Sequence, residues 1–149
     1  MKKLLIVLTI SLFAFFESNA QVEFKVVTSV ESIVPNGFGR SRIISGNEEK
    51  NYKDYTSTQT EEDNKRNKSD RGEIRVKDFD ETKLLNFFNI GGIRFQNIAA
   101  NDAVITSKIN TMIADGWELA FVTSAVESDA GKGDGNGIFI TRYIFKRQK

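Results

Sequence analysis

Histidine and cysteine are both absent from the chain, and that narrows the available chemistry at once. Ser-His-Asp and Cys-His catalysis, thiolate or imidazole zinc sites and the commonest general base near neutral pH each need one of the two. Carboxylates, Lys, Tyr, Ser and Thr remain. Among the acids, Glu118 and Glu127 are the pair to weigh for glycoside hydrolysis, in which two carboxyl groups flank the scissile bond. The plainer reading leaves Glu118 in water, on a strand whose other side carries Trp117, Leu119 and Phe121. Hydrolase clefts also tend to need larger scaffolds with several sugar-stacking aromatics. No residue is assigned a catalytic role.

The glycine-rich stretch from Asp129 to Gly137 invites three comparisons. A phosphate-binding P-loop needs Gly five residues before its Gly-Lys pair and Ser or Thr after it, where Val126 and Gly133 stand. A dinucleotide fingerprint needs a helix next, but Ile138 to Phe145 reads as a strand. An EF-hand aligned on Asp134-Gly135-Asn136-Gly137 would put Lys132 at the first ligand and Tyr143 at the twelfth. All three fail. An irregular calcium site of Asp129, Asp134 and Asn136 is the surviving metal reading, set against a flexible hairpin connection. The connection is the expectation, so no metal and no cofactor is implied. Arg40 and Arg42, near Gly37 and Gly39, are candidates to present two guanidinium groups to an anion. Trp117, directly after Gly116, is expected to lock a helix onto the sheet rather than to stack on a ligand.

The elements that must position these residues begin after residue 20. Lys2 and Lys3 precede an unbroken apolar or hydroxyl run from Leu4 to Phe16, and Ser18 and Ala20 supply small residues at the −3 and −1 positions. That is a cleavable signal peptide over residues 1–20, with processing between Ala20 and Gln21. The run is too short for a comfortable spanning helix. Removing it leaves 19 basic and 19 acidic residues, a mature net charge of zero. Nucleic-acid binders carry a basic excess to displace counterions, so that class is set aside. The remaining 129 residues suit one domain, held by an apolar core without disulfides.

Alternation from Gln21 to Val30 predicts a first strand, and Arg42-Ile43-Ile44 a second after the turn at Pro35-Asn36-Gly37. From Asn47 to Gly72 the apolar signal vanishes: seven acids and six bases surround only Tyr52 and Tyr55 as large apolar groups. Such a stretch cannot offset its ordering entropy, and a long mobile loop at 47–72 is expected. Glu73 to Phe79 alternates like a strand. Asp80 is positioned to cap a short helix through Leu84, Leu85, Phe87 and Phe88, which Gly91-Gly92 would end. Asn101 or Asp102 would cap the main helix, whose Ile105, Ile109, Met112 and Ile113 form one stripe, with Gly116 at its C′ position. Two strands follow, Trp117 to Val126 and Ile138 to Phe145, as an antiparallel hairpin. The last strand is apolar on both sides and therefore belongs inside the sheet. The main helix would cover one face. The segment Leu84 to Ile98, or else a second copy of the protein, would cover the other, with the internal segment preferred. The fold class is thus α+β, a small antiparallel sheet with one main amphipathic helix packed on it, a shorter helical segment and the long loop.

Asp115-Gly116-Trp117-Glu118-Leu119 after an amphipathic helix, Tyr143-Ile144-Phe145-Lys146-Arg147 at the end and the opening strand Phe24-Lys25-Val26-Val27 together resemble a family of small bacterial domains, the domain of unknown function 4177. The resemblance covers Gln21 to Val30 and about Asn101 to Arg147; a long insertion separates the two. It implies a fold and carries no activity. The functional expectation is an exported, non-catalytic binding or interaction module, periplasmic or secreted. Its partner would be an envelope or extracellular protein or a glycan, with a homodimer possible and no membrane span after processing. The alternative is a small acidic-residue-dependent hydrolase of the cell envelope.

Overall fold

A computed structural model describes residues 21–33, 40–127 and 137–149. The expected signal peptide with Ala20, the turn at Pro35-Asn36-Gly37 and the cation candidates Asp129, Asp134 and Asn136 lie outside the described residues. Gln21 directly precedes the first strand, and its carbonyl accepts the Lys149 N–H.

The alternation after Gln21 becomes β1 (Val22–Ser32). β2 (Arg42–Gly46), β3 (Phe79–Lys83), β6 (Glu118–Val126) and β7 (Ile138–Gln148) join it in one antiparallel sheet of order β3-β2-β1-β7-β6. β7 lies inside the sheet, as a strand apolar on both sides requires. It pairs with β1 from Val22 opposite Gln148 to Ser32 opposite Ile138, and with β6 as a hairpin. The helix α2 (Phe95–Ala114) covers one face. Beneath it Val27, Ile43, Ile105, Met112 and Phe145 form the core with Leu84, and Phe145 has no solvent exposure. The α+β architecture is the one anticipated. Among the described residues no helix is long and apolar enough to cross a membrane.

The main helix starts seven residues earlier than a cap at Asn101 would place it. Arg94 precedes its first turn without a side-chain cap bond. Asn101, expected as a cap, is instead a buried residue within the helix, 1 % exposed. Its Oδ1 accepts the Leu85 N–H at 2.8 Å, and its Nδ2 donates to the Leu85 carbonyl and to Glu31 Oε1, each at 2.8 Å. A buried amide with all its neighbours paired clasps three parts of the chain. The helix ends as expected. Gly116 has φ +84°, its N–H donates to the Ile113 carbonyl, and the Trp117 N–H donates to that of Met112, the two bonds of a Schellman motif. Ile113, placed on the core stripe from its spacing, is 52 % exposed.

Two sequence assignments need correction. The short helix expected over Leu84 to Phe88 is irregular chain leading into a small hairpin, β4 (Phe88–Asn89) against β5 (Gly92–Ile93). Asn101 occupies the Leu85 backbone groups that helix bonds would have used, and Gly92 with φ +97° turns the chain. The expected strand Glu73 to Phe79 begins instead with a one-turn helix, α1 (Arg71–Ile74), fixed by an Asp70/Glu73 capping box. In the loop at 47–72, Tyr52–Tyr55 forms a 3-10 turn. Asn67 Nδ2 and Ser69 Oγ both donate to the Asp54 carbonyl, and the Tyr55 hydroxyl donates to that of Glu73.

The segment from Leu84 onward lies on the same face of the sheet as α2. Asn101 holds Leu85, and the Phe87 ring meets Phe139, 5.7 Å between centroids, on the α2 side of β7. The segment expected to cover the opposite face therefore does not do so. Phe24 and Phe121 on that open face are 65 and 61 % exposed, and Val26 and Ile44 are exposed beside them. A register shift between Leu119 and Phe121 puts Phe121 on the same face as Glu118, opposite to the placement that plain alternation gives.

Candidate functional site

Cross-strand register gathers charge at one end of the sheet. Arg42 on β2 stands opposite Lys83 on β3, and Ile44 opposite Glu81. Arg40 precedes β2, so two arginines and a lysine line one groove of about 640 Å3. Glu81 is its single carboxylate and is engaged by Arg42 in an ion pair. Arg40 and Lys83 form no ion pair among the described residues. The apolar part of the wall comes from Leu84, Leu85 and Phe88.

The groove wall is fixed by a polar knot. Ser41 is buried, and its Oγ donates to Asn86 Oδ1 at 2.8 Å while accepting the Ser32 N–H at 3.0 Å. The Ser41 N–H also reaches Asn86 Oδ1, and the Ser41 carbonyl accepts the Leu84 N–H at 2.9 Å. Asn97 Nδ2 from α2 donates to the Asn86 carbonyl at 2.7 Å. A serine between two strands thus ties β1, β2 and the chain after β3 together. The cations above it rest on backbone that cannot drift independently.

Both anion candidates read from the sequence, Arg40 and Arg42, line this groove. Lys83 was missed. It sits in a strand that the sequence does not announce, and only the β2–β3 pairing brings it beside Arg42.

The acidic candidates are dispersed. Glu118 at the start of β6 pairs with Lys146 at 3.1 Å and faces water. Glu127 follows the far end of the same strand, roughly 30 Å away at the usual rise of a strand residue. Glycosidase carboxyl groups stand about 5–10 Å apart, so these two do not make such a pair. Among the described residues no three acidic side chains cluster in a way that would hold a metal ion.

A second groove of about 590 Å3 lies at the opposite end of β1, with Trp117 in its wall. Trp117 also packs on the core, and the Arg147 guanidinium lies 4.3 Å from its ring centroid. Lys25, Lys50 and Lys149 face Glu23, Glu48 and Glu49 here, so the charges balance and favour no ligand sign. Glu48 is structural. Its Oε1 accepts the N–H groups of Asp78 and Lys77, each at 2.7 Å, and Lys50 stands 3.1 Å from Oε2. These bonds, those from Asp78 and Lys77 first, hold its carboxyl below the ordinary 4.5. The clasp on the loop base is therefore complete above that ordinary value and is lost as pH falls through the lowered one.

No family model matches the chain, and neither the curated proteins nor the solved structures contain a match.

Proposed function

We propose that this chain is an exported, non-catalytic binding module, periplasmic or secreted, that holds an anionic group in the groove beside Arg40, Arg42 and Lys83. The observation that carries this reading is the charge imbalance there, three cations against one carboxylate already engaged, in a chain that is neutral overall after processing. A guanidinium and an ammonium suit phosphate, sulfate or carboxylate groups, and the apolar wall suits the body of an attached sugar or side chain. Acidic glycans and acidic segments of envelope or extracellular proteins both have this chemistry. The resemblance to the domain of unknown function 4177 supports the fold and adds no ligand. The hydrolase alternative loses its motivating pair in the separation of Glu118 from Glu127.

Titration of the 21–149 protein with inorganic phosphate and with oligogalacturonate, followed by amide chemical shifts, tests the groove. Shifts should gather at Arg42, Lys83 and Leu85 and vanish in Lys83→Glu. Shifts that ignore this substitution, or no shifts with either probe, reject the reading. Export is tested separately by intact mass, which should correspond to a chain beginning at Gln21; recovery of Met1 in an anchored product rejects it.

A further inference from the structure

The two edges of the sheet are built differently. β3 reads Phe79-Asp80-Glu81-Thr82-Lys83, with three charges in five residues. Edge strands are ordinarily blunted in this way, by charge, proline or a cover, because their unpaired backbone groups are a template for another strand. β6 has no such protection from Leu119 to Val126: eight residues without a charge or a proline. Every residue of β6 except Leu119 is exposed, with Phe121 at 61 % and Val126 at 58 %. Its one irregularity, the shift between Leu119 and Phe121, lies near the beginning of the strand.

Register shows which backbone groups are free. The Glu127 N–H donates to the Ile138 carbonyl at 2.9 Å, and this pair continues the ladder in which Val126 stands opposite Phe139. Opposed residues of an antiparallel ladder alternate between bonded and unbonded pairs. Glu127, Ala125, Thr123 and Phe121 therefore bond inward to β7. Val122, Ser124 and Val126 direct both N–H and C=O away from the sheet.

We propose that this edge pairs with the same edge of a second copy, β6 against β6, antiparallel about a two-fold axis through Ser124, to give one ten-stranded sheet. The strand is complementary to itself in that register. Val122 bonds Val126 of the partner subunit, Ser124 bonds Ser124 of the partner subunit, and all outward groups of the three residues are used. On the open face Thr123 lies beside Ala125 of the partner subunit, and Phe121 covers the stem of Glu127 of the partner subunit. No like charges meet. Stacking of two open faces is the competing dimer and is poorer. Arg142 lies between Thr28 and Thr123 near the middle of that face and has no ion pair among the described residues. Glu81 and Glu118, on the same face, are already engaged by Arg42 and Lys146. Face-to-face stacking would take two exposed guanidinium groups out of water, a cost that pairing at the edge avoids.

Proline at Val122 removes an outward N–H without touching the ladder to β7, which an edge strand tolerates. Sedimentation of the 21–149 protein across the micromolar range should show a dimer. Val122→Pro and Val122→Lys should both be monomeric, with unchanged circular dichroism; if the proline variant fails to fold, the lysine variant carries the same test. A wild type that stays monomeric up to several hundred micromolar overturns the proposal. So does a dimer that survives the folded Val122 variants.

Discussion

The two faces of the five-stranded sheet are made from similar residue types and end in different surroundings. Beneath α2, Val27, Ile43 and Phe145 are 2, 3 and 0 % exposed. One residue along each strand, Val26, Ile44 and Ile144 look out from the other face beside Phe24 and Phe121, and Val26 and Ile44 are 45 and 37 % exposed. Alternation sorts side chains into two sets without saying which set receives the helix. The covered face is also the one that tolerates polar groups poorly, yet it holds Ser29 and Ser45 at 1 and 2 % exposure, their hydroxyls without a hydrogen-bond partner among the described residues. The open face bears Arg142 without difficulty because water still reaches it. Cover, more than composition, separates the two.

Substitutions can break or sharpen this contrast. Phe145→Ala should have the largest effect, about 4 kcal/mol lost in urea unfolding, as for a phenylalanine cavity in a core; a loss below about 1 kcal/mol would mean that α2 does not seal this face. Asn101→Ala comes next, at about 3 kcal/mol, since it strands the Leu85 N–H and carbonyl under the helix. Near-wild-type stability there would remove Asn101 as the clasp. Ser29→Ala should act in the opposite direction and raise stability by about 1 kcal/mol, because it deletes a buried hydroxyl with no partner among the described residues. Destabilisation would point to a bond the serine makes in solution. Phe24→Ser on the open face should move the unfolding free energy by less than about 0.5 kcal/mol. A loss of several kcal/mol would show that this face is covered after all. Least of all should be the consequence of a cut in the loop at 47–72. Limited proteolysis is expected to nick it first, near Lys65, leaving both faces and their core associated; first cuts elsewhere would contradict the mobility expected from its composition.

Local signals that act over a few residues were legible. The Gln21 to Val30 alternation, the helix stop at Gly116 and the double apolar pattern of β7 each have a cause within one turn or one strand. Arg40 and Arg42 were legible as cations beside a turn, but not as the wall of a groove. Lys83 joins them through strand pairing, and Leu84, Leu85 and Phe88 through a chain path that propensity misreads as a helix. The error has a definite origin. A helix over Leu84 to Phe88 must use the backbone groups of Leu85, and Asn101, sixteen residues later, takes them instead. The same asparagine mimics a helix start in the sequence, because Asn is a good cap and an uncommon buried clasp.

By itself, the sequence determined the class of the protein and the limits of its chemistry. Without histidine or cysteine it offers neither imidazole nor thiolate, and its strand and helix periods lead to one main sheet and one main helix. Those are properties of residue types and of strong short-range periods. Tertiary structure decided which face of the sheet is sealed, which cations share a groove and which edge is left unprotected. Each depends on register and on contacts between residues far apart in the chain. A single displaced residue, as at Ala120, is enough to move Phe121 from one face to the other.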